Sequence, residues 1–199
     1  ENIDLKGLGV FTSAKGGCRV DKYHLEEPWG YIYTTNKLLL KVDQHGPDYV
    51  QFTPPGGTML FKRERFQAGP SLFAWIKTGE NRAFTNFFLP TAGCISPAKE
   101  PEEYHCGYTP EKAVYTVKQD SILCTTELFI TKDDAVVVMV CTLTNTDNTV
   151  REIELFPVMR LHMAAPALEP WDVPALYQKV AYSNDKYPMF YIELRHPNG

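Results

Sequence analysis

The chain has no Cys-x-x-Cys pair and no even set of cysteines: Cys18, Cys94, Cys106, Cys124 and Cys141 stand singly along 199 residues. That spacing argues against both a disulfide framework and a zinc ribbon. No Asn-x-Ser/Thr acceptor occurs. There is also no long basic run, since Lys62-Arg63-Glu64-Arg65 is broken by its own glutamate and the net charge is -4. A track for a nucleic-acid backbone is therefore not expected. No apolar stretch approaches membrane-spanning length, so no membrane partner is expected either. The opening Glu1-Asn2-Ile3-Asp4-Leu5-Lys6 lacks a basic-then-apolar leader pattern, and the expected compartment is the cytoplasm.

What is present is a core-forming composition, 44% hydrophobic and 13% aromatic, which excludes a disordered chain. Long helical periodicity is absent and period-two alternation takes its place. Tyr31-Ile32-Tyr33 and Lys37 to Val42 flank Thr34-Thr35-Asn36 as a hairpin. Asp48 to Phe52 is a strand stopped by Pro54-Pro55-Gly56-Gly57, and Thr58 to Phe61 starts the next. Leu72 to Lys77 and Ala83 to Leu89 continue the pattern before a proline-bearing loop from Pro90 to about Glu103.

The stretch from Tyr104 to His162 is the most regular. Ala113 to Gln119 pairs with Ile122 to Thr131 across Asp120-Ser121. Within the second of these, Cys124, Thr126, Leu128 and Ile130 face one way, and Thr125, Glu127 and Phe129 the other. Ala135 to Thr144 is apolar on both faces at Val136-Val137-Val138-Met139-Val140, the signature of a central strand covered on both sides. Arg151 to Leu161 reads as half-buried. Ala164 to Pro174, with Pro166, Pro170 and Pro174, is a loop. Tyr177 to Tyr182 and Pro188 to Arg195 form a hairpin across Ser183-Asn184-Asp185. The fold class is all-β, a large antiparallel β-sandwich with little helix. The final His196-Pro197-Asn198-Gly199 has the wording of a turn that leads into another strand, so the chain is expected to be an N-terminal fragment of a longer polypeptide.

The thiols and histidines suggest no metal. His105 and Cys106 are adjacent on a strand, and adjacent residues point to opposite faces. Cys124 and Cys141 sit in strand-like runs, where a free thiol acts as a small hydrophobe.

Five elements in order carry a resemblance: Cys106-Gly107-Tyr108-Thr109, Thr126-Glu127-Leu128-Phe129-Ile130, Lys132-Asp133-Asp134, Leu143-Thr144-Asn145-Thr146 and Glu154-Leu155-Phe156-Pro157. Together they resemble the N-terminal β-sandwich domain of the cellobiose phosphorylase family, glycoside hydrolase family 94, formerly classed as a glycosyltransferase family. Gly30 to Asn36 and Leu60-Phe61 resemble the family's opening strands more loosely. The chain departs where the family has Arg-His-Gly before Tyr-Thr; here stand His105-Cys106-Gly107, and no role of that arginine carries over.

The resemblance implies a galactose-mutarotase-like supersandwich, residues 1-199, followed in the parent enzyme by an (α/α)6 catalytic barrel. The full-length parent would be an inverting phosphorylase acting on a β-glucoside or β-glucan, with inorganic phosphate as co-substrate and no cofactor. Its acid would lie on the barrel, so this chain alone is expected to be inactive. Barrel packing, homodimerisation and an active-site rim are the implied roles, with the barrel of the same polypeptide and an oligosaccharide as partners.

Sugar rings stack their C–H faces on aromatics. Trp29 and Trp171, each beside a proline in an expected loop, are candidates for carbohydrate or barrel contact, as is Trp75. Tyr31, Tyr33, Phe73 and Trp75, at period two, also fit plain core packing. Arg63 and Arg65 could meet a phosphate or a partner carboxylate, or be a solvated strand end. His105 completes the candidates; no catalytic residue is expected. Two alternatives remain: a stand-alone carbohydrate-binding module, and an aldose epimerase using His105 or His162 with Glu127 or Glu154, residues equally suited to a strand surface.

Overall fold

The computed structural model describes residues 2–12, 16–23, 25, 28–53, 59–62, 72–88, 101–159, 178–183 and 189–194. Among them are sixteen strands and no helix. Three short strands come first: β1 (Asn2–Asp4), β2 (Gly9–Thr12) and β3 (Gly17–Val20). A four-strand meander follows, β4 (Gly30–Thr34), β5 (Leu38–Asp43), β6 (Gly46–Phe52) and β7 (Met59–Lys62). Then come β8 (Leu72–Gly79) and β9 (Arg82–Thr85), and the regular series β10 (Glu103–Tyr108), β11 (Ala113–Gln119), β12 (Ile122–Ile130) and β13 (Val137–Asn145). The last are β14 (Glu154–Met159), β15 (Gln178–Ser183) and β16 (Met189–Leu194).

All pairings are antiparallel. One sheet runs β1-β2-β3-β10-β11-β12-β13, a second is β4-β5-β6-β7, a third β14-β8-β9, and β15-β16 pair as a two-stranded sheet. Turn chemistry explains several of the joins. Asp120 and Ser121 both adopt positive φ (51° and 64°), the two-residue turn whose twist matches paired strands. Thr35 accepts the Lys37 and Leu38 amides on its hydroxyl (3.2 and 3.1 Å), closing the β4–β5 turn. Thr109 does the same for Glu111 and Lys112 between β10 and β11.

Alternation decides which face is inside. On β12, Ile122, Cys124, Thr126 and Leu128 are fully buried, while Leu123, Thr125, Glu127 and Phe129 between them are not. The inner face of the long sheet (Val20, Cys106, Tyr108, Ala113, Tyr115, Leu128) meets Tyr33, Leu38, Leu40, Val42, Val50 and Phe61 of the four-stranded sheet. The same face, farther along at Val117, Ile122 and Cys124, meets Ile76, Phe84 and Phe88. The second layer of the sandwich is thus split, four strands over one part of the long sheet and three over the other. Each fully buried leucine contributes about 1.5–3 kcal/mol by leaving water.

Asn86, fully buried, ties the third sheet to the long one. Its Oδ1 accepts the Ala74 amide (2.8 Å) and its Nδ2 donates to Thr126 Oγ1 (3.2 Å).

Several expectations need correction. Among the described residues β13 is an edge strand, not a covered central one: β12 is the one strand paired with it there, and Val140 on its outer row is 43% exposed. Apolar residues on both faces imply two covering layers only if both layers exist, and here the sandwich covers one. β14 is mostly exposed rather than half-buried, since among the described strands it borders β8 alone. The expected strand from Ala83 ends at Thr85, where Asn86 and Phe87 turn the chain. Strands β1 to β3 were not foreseen; four residues or fewer, broken by glycine, leave no period to read. The expected loop from Ala164 to Pro174 lies outside the described residues, as does most of the one from Pro90. No helix among the described residues is long and apolar enough to cross a membrane.

Candidate functional site

The β5–β6 connection, Asp43-Gln44-His45-Gly46, is polar in composition, yet Asp43, Gln44 and Gly46 are buried and His45 is half-buried. Asp43 is 4% exposed and Gln44 fully buried. Backbone carbonyls in such a place need donors, and tyrosines supply them. Tyr115 donates to the Asp43 carbonyl (2.8 Å) and Tyr104 to the Gln44 carbonyl. Gln44 Oε1 accepts the Trp29 amide (2.9 Å), and the Trp29 carbonyl accepts the Tyr108 hydroxyl (3.0 Å). Gly46, at φ 101°, lies so close to Phe87 that an added Cβ would come within 2.9 Å of the ring. Burial pushes the Tyr104 and Tyr108 phenols well above their ordinary range.

Above this turn is an aromatic cluster centred on Tyr23. His45 (4.6 Å), Phe88 (5.0 Å) and Tyr104 (5.4 Å) all meet its ring edge to face. A pocket of about 420 Å³ opens beside it, lined by Tyr23, Phe88, Tyr104, Pro101 and the charged Asp21, Lys22, Glu102 and Glu103. Two of the carboxylates are fixed from outside: Asp21 by Arg19 (2.8 Å), and Glu102 by the Asp120 amide (3.1 Å) and Lys118 (3.8 Å). Phe88 holds a left-handed backbone (φ 49°), a strained conformation for a bulky residue.

A second pocket, also about 420 Å³, lies between β2–β3 and β10–β11 and is lined by His105, Arg19, Thr12, Thr109, Val114 and the glycines 17 and 107 among others. The paired positions Gly107 and Arg19 show how it forms: glycine leaves a gap in the sheet's outer row. His105 stands at its side with Nδ1 3.7 Å from Glu103. It and buried Cys106 do point to opposite faces, as expected.

The other candidates divide. Trp29 and Trp75 are both half-buried against the core, Trp75 edge to face with Phe73 (6.1 Å) and opposite Phe156 on β14. Tyr33 and Phe73 are core residues, and Tyr31 packs on Tyr33 (4.8 Å). Trp171, Arg63, Arg65 and His162 lie outside the described residues. Glu127 pairs with Lys112, and Glu154 with Lys77. No group of three metal-ligating side chains occurs among the described residues.

Among the described residues, Cys18, Cys106, Cys124 and Cys141 are free thiols. Cys141 and Cys124 share Thr126 Oγ1 as a neighbour (3.7 Å each), and Asn86 Nδ2 is 3.6 Å from Cys141. The Cys124 thiol beside it, helped by Thr126 and Asn86, lowers the Cys141 thiol; its own partner Cys124 is pushed up. Burial pushes Cys106 up to about 11.

Exposed large apolar side chains are concentrated in one part of the sequence. Val136, Val140, Val150, Leu155, Phe156 and Met159 are all exposed, and all lie on β13, β14 or the segments that border them. Leu155 and Phe156 occupy opposite faces of one strand, so β14 is apolar on both and no described residue covers either.

Sequence reasoning missed Tyr23, Phe88 and the 43–46 turn. Nothing local marks a turn as buried; the signal lies in two tyrosine hydroxyls, of Tyr104 and Tyr115, contributed from far along the chain. No curated protein matches the chain significantly. A family model described as glycosyl hydrolase 94, supersandwich domain, matches residues 70–179, from the edge of β8 into β15. With more than half its length matched and the all-β sandwich in place, the chain belongs to glycosyl hydrolase family 94, through its supersandwich domain.

Proposed function

We propose that the chain is the non-catalytic N-terminal sandwich domain of an inverting glycoside phosphorylase, a hexosyltransferase that cleaves a β-glucoside or β-glucan with inorganic phosphate. Its role is to pack on a catalytic barrel of the same polypeptide, to help form a homodimer and to supply part of the active-site rim. The observation that carries this reading is the set of large apolar side chains on β13 and β14 that no described residue covers, side chains that a self-sufficient sandwich would keep from water.

The chemistry also favours a non-catalytic role. Phosphorolysis needs a cationic phosphate site beside a carboxylic acid. The Tyr23 pocket offers one lysine against three carboxylates, and the His105 pocket offers an arginine already held by Asp21. The test is release of glucose 1-phosphate from cellobiose, sophorose and laminaribiose in the presence of phosphate. The 199-residue chain should give none, and the whole polypeptide encoded by its gene should turn over at least one. Turnover by the chain itself would overturn the non-catalytic role; failure of the whole polypeptide on all three would overturn the phosphorylase reading.

The Tyr23 pocket favours a second reading, a stand-alone carbohydrate-binding module, which requires the gene to end near Gly199. An aldose epimerase gains nothing from the placement of Glu127 and Glu154 on lysines, and an anomer-interconversion assay decides it.

A further inference from the structure

We infer that the Tyr23 pocket is a binding site for a neutral sugar. The inference rests on the carbohydrate reading above and names a site for it. The volume, about 420 Å³, falls within the range of small-molecule sites. Its wall is aromatic and held in place: Tyr23 is gripped edge to face by His45, Phe88 and Tyr104, and Tyr104 is anchored through its hydroxyl to the buried Gln44 carbonyl. An aromatic wall of this kind takes the C–H face of a pyranose ring.

Polar groups complete the site. Asp21 and Glu102 are oriented acceptors, fixed by Arg19 and by the Asp120 amide, so accepting hydroxyl protons costs them little further ordering. Lys22 is exposed, and no ion pair involves it among the described residues, leaving its ammonium to donate to a ring or hydroxyl oxygen. Arg19 and Lys118 are already engaged by Asp21 and Glu102, and Lys22 is the one cation in the pocket's described lining, so there is no cluster of free cations to hold phosphate. The carboxylates do not form a metal cluster either. Phe88 adds an independent sign: a bulky residue kept at φ 49° on the pocket wall is strain of the sort that persists at binding sites.

The test is calorimetric titration of the 199-residue chain with glucose, cellobiose, sophorose and laminaribiose, with inorganic phosphate alongside. At least one sugar should bind saturably and phosphate should not. Tyr23→Ala should weaken that binding by about 10-fold or more, the loss of one stacking platform plus its contacts, while Tyr23→Phe should retain it. Lys22→Ala and Glu103→Gln change exposed side chains and keep the fold; each should weaken binding by a smaller factor. Binding of none of the four sugars, binding indifferent to all three weakening substitutions, or phosphate binding lost in Lys22→Ala would each overturn the assignment. Glucose 1-phosphate release by the whole polypeptide separates the two failures. It can persist without this site, and Tyr23-dependent sugar binding can persist without it.

Discussion

Asn86 occupies two hydrogen-bonding roles at once, acceptor for the β8 backbone and donor to β12. Asn86→Ala would leave the buried Ala74 amide without its partner, and the expected loss is about 1–3 kcal/mol, measured by urea or thermal unfolding. An unchanged midpoint would mean that the sheets are held by apolar packing alone. The thiols differ just as sharply. Reaction with iodoacetamide needs the thiolate, so at neutral pH Cys141, whose thiol is lowered, should be alkylated ahead of Cys106 and Cys124, whose thiols are raised. Peptide mass spectrometry after brief exposure reads the order; prior labelling of Cys106 or Cys124 would contradict it. At this scale the sequence was partly legible. Period two put Cys124, Thr126, Leu128 and Ile130 on one face, and the first three of them are fully buried. It could not show that Asn86, in the wording of an ordinary strand, would turn inward, because its partner lies 40 residues away.

Strand β13 shows the limit of reading an element by composition. Its alternate residues Val137, Met139, Cys141 and Leu143 face the sandwich, while Val138 and Val140 face out, and sequence alone assigns both rows to a core. Val140 is opposite Glu127 in the register, so Val140→Lys would place a cation across from a carboxylate on the outer face. The expected outcome is a stability change within about 0.5 kcal/mol together with weaker self-association of the isolated chain, read by light scattering. Loss of several kcal/mol would show instead that this row is covered within the chain. Turns were the more legible elements: Thr34-Thr35-Asn36 and Asp120-Ser121 sit where their residue types required, since positive φ and hydroxyl capping are local chemistry.

For the whole molecule, tyrosine burial sets the alkaline limit. The phenols of Tyr33, Tyr104 and Tyr108 are raised, chiefly by burial. A raised folded-state value means that the neutral phenol favours the fold; this contribution is whole below the ordinary tyrosine value of about 10 and declines as pH rises beyond it. These phenols should therefore ionise together with unfolding, so that near-ultraviolet phenolate absorbance and loss of far-ultraviolet dichroism coincide. Smooth ionisation with the dichroism intact would refute their burial. The all-β class and the family were legible because they rest on the repeating half from β10 to β14. The Tyr23 pocket was not, because it is assembled from β3's exit, the turn after β9 and the start of β10. The buried 43–46 turn has one more consequence, for how such a protein can vary. Hairpin tips are the places where chains usually accept extra residues; here the Glu80–Asn81 tip is open to solvent, whereas every added residue between Asp43 and Gly46 would have to displace tyrosine hydroxyls. Lengthening during evolution, or a grafted peptide, can enter at the first tip but not at the second.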